Sequence, residues 1–169
     1  MKKIIAGLLF LLVIYFNVVI LKPTADTKAD SQLTVPDISF AYNGRTIYDN
    51  FFLKLTPEII PTYKKNMRWD YLYPIIYTVF LFLMGQILFR KSLYRKIFFI
   101  AVFSAFVFDY TENITQLYLI NELPKTHLSM GSLMGVFTTI KWITVLFALL
   151  SVLGGLIRAG INTLLITHK

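Results

Sequence analysis

The chain has 169 residues, of which 56% are hydrophobic and only 15% are charged. Soluble domains carry about 25% charged residues, so this composition excludes an intrinsically disordered chain and argues against an ordinary soluble globule. The absence of cysteine excludes disulfides, thiolate metal sites and cysteine nucleophiles. The net charge of +8 does not indicate nucleic-acid binding, because the basic residues lie where membrane orientation requires them.

Four apolar segments account for this composition, at residues 4–21, 71–89, 97–120 and 133–157. Each is long enough, at about 20 residues, for a helix to cross a hydrocarbon core of about 30 Å. They predict an all-α membrane protein with one domain over residues 1–169, built as a four-helix transmembrane bundle. The first segment follows two lysines, as in a signal peptide, but its length and the poor cleavage sites after it favour a retained helix.

The distribution of basic residues predicts the orientation of the four spans. With the N-terminus in the cytoplasm, the inside segments carry eight lysines and arginines but no acidic residue: Lys2, Lys3, Arg90, Lys91, Arg95, Lys96, Arg158 and Lys169. By the positive-inside rule, we expect a multi-pass protein of the cell membrane with both termini cytoplasmic. The loops at 22–70 and 121–132 then lie outside.

The long outer loop begins with two irregular stretches. Residues 22–32 are polar and rich in Thr, Ala and Asp, which is typical of a flexible linker. Residues 33–42 (LTVPDISFAY) contain a proline and a short alternation of apolar and polar residues, which predicts an extended segment.

The second half of the loop has helical patterns. Ile47, Phe51 and Leu55 recur at the spacing of one helical stripe. The tripeptide at 56–58 (TPE) is typical of a helix start, and the helix that follows is expected to run into the second span, with a kink at Pro74. These helices are interpreted either as an interfacial pair on the outer leaflet or as a cap over a cavity among the spans.

Polar residues inside the last two spans form the candidate site. Spacings of i, i+3, i+4 and i+7 place four of them on one face of the third span, namely Asp109, Glu112, Asn113 and Gln116. The fourth span has Thr138, Lys141 and Trp142 on one face. Because an ionisable side chain in hydrocarbon costs about 2.5–3.5 kcal/mol even on lenient scales, we expect these groups to have partners.

Depth identifies the partners. Glu112 lies eight residues before the end of the predicted third span and Lys141 eight residues into the fourth, so both are about 12 Å deep. We therefore expect Glu112 to pair with Lys141, with Asp109 one turn deeper. Polar groups of the first two spans reach the same level: Asn17, Tyr73 and Tyr77. Two acids against one lysine leave an imbalance, which is met by protonation, a cation, a substrate amine or water. A purely structural salt-bridge network is the competing interpretation.

Two short motifs carry a family resemblance. Residues 109–113 (DYTEN) and 138–142 (TTIKW) resemble the D-x-x-E-N and T-x-x-K motifs in the third and fourth spans of an uncharacterised family of small four-span bacterial membrane proteins. The resemblance adds Asp70, Pro74 and Tyr77 as the family's entry to the second span, and it implies the bacterial inner membrane but no reaction. The sequence at 41–43 (AYN) departs from the Gly-Tyr-Ser expected there.

Three functions are compatible with the candidate site. The favoured one is binding of a lipid headgroup or small polar ligand in an outward-facing intramembrane pocket. The alternatives are an intramembrane lipid-modifying enzyme with Asp109 and Glu112 as paired carboxylates, and a proton- or cation-coupled carrier working as a homo-oligomer. Membrane lipid is the expected partner. No cofactor or metal site is predicted, since the two histidines, His127 and His168, are isolated and no catalytic motif occurs.

Small residues in the fourth span predict close helix contacts. Gly131 and Gly135 open the span with a G-x-x-x-G spacing, and Ser151, Gly155 and Ala159 repeat it near the other end. Packing within the bundle is favoured over a dimer interface.

Overall fold

A computed structural model describes residues 1–21, 36–90 and 92–167, with side chains described as far as Asn162, that of Ile38 excepted. The predicted linker at 22–32 lies outside the described residues. Every regular element in the described part of the chain is a helix. The elements are α1 (Lys2–Tyr15, continued by a π-helical turn, Phe16–Ile20), α2 (Gly44–Asn50), α3 (Ile59–Leu88), α4 (Leu93–Asn121) and α5 (Leu128–Thr167).

Four of these helices, α1 with its π turn, α3, α4 and α5, are long and apolar enough to cross a membrane. The predicted all-α fold is therefore confirmed. α3 has 30 residues and α4 has 29, so both exceed the length of about 20 residues that a bilayer core requires. α3 begins at Ile59, just after the predicted start signal, and is continuous through Pro74; the kink there stays a prediction.

α3, α4 and α5 are successive antiparallel neighbours because the connections between them are short. α1 is joined to α3 by a long segment, but its contacts from Lys2 to Gln86 and from Asn17 to Tyr73 show that it also runs antiparallel to α3. The Tyr94 hydroxyl donates to Ser151 Oγ at 2.7 Å, and Lys2 Nζ donates to Gln86 Oε1 at 2.9 Å. These contacts bring the start of α1, the end of α3, the start of α4 and the second half of α5 to one end of the bundle, here called the uncapped end. The opposite end is the capped end.

Two apolar cores fill the bundle. Toward the uncapped end, Phe98, Val102 and Ala105 of α4 are at most 1% exposed and pack with apolar side chains of α1, α3 and α5. At the capped end, Leu119 and Met134 are fully buried among residues of the segment between α1 and α3. The polar side chains of α4 and α5 lie between the two cores along these helices.

Residues 36–58 form a cap over the ends of α3, α4 and α5. The expected stripe at positions 47, 51 and 55 is present, but α2 ends at Asn50 and a 3₁₀ turn, Phe52–Lys54, follows. Tyr48, Phe51 and Phe52 are at most 1% exposed, so these rings belong to the core. A helix pair lying on a lipid surface would leave them in the headgroup region. The burial of these rings supports the cap interpretation of this segment, and the interfacial interpretation stays a prediction.

The start of the cap also differs from the sequence expectation. Of the stretch 33–42, the structure describes residues 36–42, and Pro36–Ile38 form a 3₁₀ turn. The prediction of an extended segment is therefore wrong at these three positions. The turn carries Asp37 toward α5, where its backbone and side chain both find donors.

The small residues of α5 have two different partners. At the uncapped end, Ser151 accepts a hydrogen bond from Tyr94, and a Cβ on Gly155 would lie 3.0 Å from Leu88 Cδ1. Packing within the bundle is therefore confirmed there. At the capped end, a Cβ on Gly135 would lie 2.2 Å from the carbonyl oxygen of Tyr42. The glycines at 131 and 135 therefore receive the backbone of the cap rather than a second spanning helix.

Candidate functional site

A buried ion pair links α4 to α5. Lys141 Nζ lies 2.6 Å from Glu112 Oε2 and 3.8 Å from Asp109 Oδ1. The predicted pairing of Glu112 with Lys141 is confirmed, because the two antiparallel helices do bring these positions to one level. The side chains are 0% and 7% exposed, respectively, so the charges are shielded from water and their interaction is strong.

A third carboxylate, which no pattern in the sequence indicated as a site residue, comes from the cap. Asp37 Oδ1 lies 3.1 Å from Lys141 Nζ, and the Asp37 side chain is 27% exposed. The single acid within an apolar stretch of an outer loop was the available signal. Periodicity gave no reason to choose it, because Asp37 lies in a 3₁₀ turn next to a proline and belongs to no helical face.

Two further hydrogen bonds near Lys141 hold the cap to α5. Trp142 Nε1 donates to the carbonyl oxygen of Asp37 at 2.7 Å, so consecutive residues of α5 bind the side chain and the backbone of one cap residue. The Tyr42 and Thr138 hydroxyl oxygens lie 2.9 Å apart. Burial raises the pKa of the Tyr42 hydroxyl, which therefore remains protonated and neutral. Asp37, Asp109, Glu112 and Lys141 are here called the cluster. Of the predicted site residues, Trp142 contacts the cluster through Asp37 of the cap, and Thr138 contacts both Tyr42 of the cap and Glu112.

Hydrogen bonds from α3 and α4 orient Asp109. The Tyr77 hydroxyl donates to Asp109 Oδ2 at 2.9 Å, and Asn113 Nδ2 donates to Oδ1 at 3.3 Å. The same Asn113 amide donates to the backbone carbonyl of Asp70 at 3.0 Å. Both carboxylate oxygens of Asp109 are therefore held by donors, which fixes the group between α3 and α5.

Two other predicted residues lie beside the cluster. Gln116 Nε2 donates to the Tyr63 hydroxyl at 2.6 Å, and Asn17 Nδ2 donates to the Tyr73 hydroxyl at 2.6 Å. The Tyr73 ring packs edge-on against the Tyr77 ring with centroids 5.3 Å apart. All four spanning helices thus place polar groups in this region, but α1 reaches the acids only through the two tyrosines.

Buried acceptor oxygens without a hydrogen-bond partner line one face of α4. They are Glu112 Oε1, Asn113 Oδ1 and Gln116 Oε1, on residues that are at most 1% exposed. The Thr138 hydroxyl contacts Glu112 and also lies 3.0 Å from the carbonyl oxygen of Met134, to which it can donate. Unpaired buried polar atoms are rare and costly, so this face is incomplete within the described residues.

The acidic side chains have the spacing of a metal site, but a lysine occupies it. Oxygen atoms of Asp37, Asp109 and Glu112 lie within 4.8 Å of one another. The Lys141 ammonium is within 3.8 Å of each of the three carboxylates. A metal ion at their centre would have to displace that ammonium, so these residues do not fit a metal while Lys141 keeps its contacts.

Comparison of the chain with protein-family models, with curated proteins and with solved structures finds no match.

Proposed function

We propose that this protein binds a lipid headgroup or small polar ligand at the cluster of Asp37, Asp109, Glu112 and Lys141, beneath the cap. The observation that carries the proposal is the charge imbalance of a buried site. Three carboxylates surround a single ammonium group, and the side chains of Asp109 and Glu112 are 12% and 0% exposed. A structural ion pair needs one carboxylate, so the two others leave an excess of negative charge that a ligand can offset.

Access to this site is from the capped end. Asp37 is the most exposed member of the cluster, and it lies in the 3₁₀ turn at the start of the cap. Toward the uncapped end, the site is closed by the apolar core around Phe98 and Val102, whose side chains are at most 1% exposed. A site closed at one end suits binding better than passage, which supports a binding protein over the proton- or cation-coupled carrier.

The orientation in the membrane is part of the proposal. The cap faces the outside of a bacterial inner membrane and both termini lie in the cytoplasm, as the distribution of lysine and arginine indicates. Reporter fusions after Lys169 and within the cap test this orientation. An active cytoplasmic reporter at the cap would reverse the assignment.

The binding proposal is tested by native mass spectrometry of the full chain released from membranes. Wild-type protein should retain a ligand, and Asp109→Asn should lose it while keeping its melting temperature within a few degrees. Asp49→Asn is the matched control, because it removes an exposed carboxylate of the cap outside the cluster. A large loss of stability in Asp109→Asn with ligand retention unchanged would favour a purely structural network. A bound molecule converted to a product would instead support the lipid-modifying enzyme.

A further inference from the structure

We infer that the ligand of this site presents a primary ammonium group. The inference rests on the proposed binding function and specifies its chemistry. Phosphate, hydroxyl and amine groups are all found in lipid headgroups and small metabolites, and the buried atoms of the site discriminate among them.

The first argument is the chemical type of the unpaired atoms. Glu112 Oε1 and Asn113 Oδ1 are both acceptors and both lack a donor. The orientation of Asn113 is fixed, because its Nδ2 faces two acceptors, the Asp109 carboxylate and the Asp70 carbonyl. Its oxygen therefore cannot be exchanged for a donor by turning the amide. A ligand that completes this face must donate hydrogen bonds.

The second argument is charge. Asp37, Asp109 and Glu112 against Lys141 leave two negative charges when every group is ionised. A phosphate would add negative charge and further acceptors to a face that already has both in excess, whereas a cation offsets the imbalance. The donor requirement and the charge requirement are independent, and an ammonium group with N–H bonds meets both. A quaternary ammonium meets only the second, because it has no N–H.

The third argument is the place of entry. Lys141 already fills the centre of the cluster, so a second cation must bind at its edge. Asp37, with 27% of its side chain exposed, is the edge that faces the surroundings, and the unpaired oxygens lie on α4. The ammonium group therefore enters between the cap and α4, alongside Lys141 and without replacing it.

The test uses headgroup selectivity of the wild-type chain and needs no variant to fold. Delipidated full-length protein in a maltoside detergent is titrated with short-chain phosphatidylethanolamine, phosphatidylcholine and phosphatidylglycerol with identical acyl chains. The melting temperature is followed by tryptophan fluorescence. Phosphatidylethanolamine should raise it, with an apparent Kd about 10- to 100-fold lower than that of phosphatidylcholine, as expected for lost hydrogen bonds to charged groups. Phosphatidylglycerol should behave like phosphatidylcholine.

A second arm separates a lipid from a free amine as the source. Ethanolamine and choline chlorides are compared at equal ionic strength. Stabilisation by ethanolamine alone that matches the phosphatidylethanolamine effect indicates a free amine, and stabilisation by the phospholipid only indicates a membrane lipid. Both results support the ammonium inference.

Two outcomes would overturn it, and they differ in what they say about the binding function. Equal stabilisation by all three phospholipids, abolished in Asp109→Asn but not in Asp49→Asn, would refute the ammonium while leaving a ligand site at the cluster. No stabilisation by any probe, together with no ligand retained by protein taken from membranes, would refute both.

Discussion

Replacement of Lys141 by methionine is expected to be the most damaging single change to the cluster. The side chain is 7% exposed, and its Nζ contacts Glu112 Oε2 at 2.6 Å and Asp37 Oδ1 at 3.1 Å. Lys141→Met keeps a similar volume but leaves the carboxylates without their cation. Removal of one partner from a buried ion pair costs about 3–5 kcal/mol. For a chain of this size, that corresponds to a melting temperature lower by about 6–20 °C.

Removal of the other partner, by Glu112→Gln, should lower the free energy of unfolding by less, because Lys141 keeps its contacts with Asp37 at 3.1 Å and Asp109 at 3.8 Å. We expect a loss of about 1.5–3 kcal/mol, the value for a hydrogen bond to a charged group. The double variant should be more stable than the sum of the two single losses predicts, since it removes both members of the closest pair. The coupling energy should be about 1–3 kcal/mol in that direction.

The assay is thermal unfolding of all three variants in one detergent, with monodispersity checked by gel filtration. Glu122→Gln is the matched control, because the Glu122–Lys125 pair is 3.9 Å apart with side chains 33% and 78% exposed. Its loss should be about 0–1 kcal/mol. Additive losses, or a Glu112→Gln variant less stable than Lys141→Met, would refute the central position of Lys141.

Two further predictions concern the attachment of the cap. Gly135→Ala should loosen the cap and speed its proteolysis, because the new Cβ would lie 2.2 Å from the Tyr42 carbonyl oxygen. Gly154→Ala is the control and should leave the rate of proteolysis unchanged, because its Cβ would meet nothing within 4 Å. Faster proteolysis of the cap in both variants or in neither would contradict this prediction. Trp142→Phe removes the 2.7 Å hydrogen bond to the Asp37 carbonyl and keeps an aromatic ring. It should speed hydrogen exchange of cap amides by about 2- to 10-fold, and unchanged exchange would show that this bond does not hold the cap.

The amino-acid sequence alone determined the bundle and the central ion pair. Spans of about 20 apolar residues can satisfy their backbone polar groups in a bilayer only as helices, so composition settles the fold class. The pairing of Glu112 with Lys141 follows from helical rise and a short connection, since antiparallel neighbours place equal depths opposite each other. Local rules of this kind need no knowledge of distant contacts.

Only the tertiary structure decided what lies over the cluster. Asp37 and Lys141 are 104 positions apart, and no helical period relates a 3₁₀ turn in a loop to a face of α5. The glycines of α5 show the same limit: their spacing predicts close approach, but the partner proved to be the backbone of the cap at Tyr42. A loop is positioned by the surface it packs on, and that surface exists only once the helices have assembled. For this reason the third carboxylate, which enlarges the imbalance that two acids and one lysine already indicate in the sequence, could be recognised only in the folded chain.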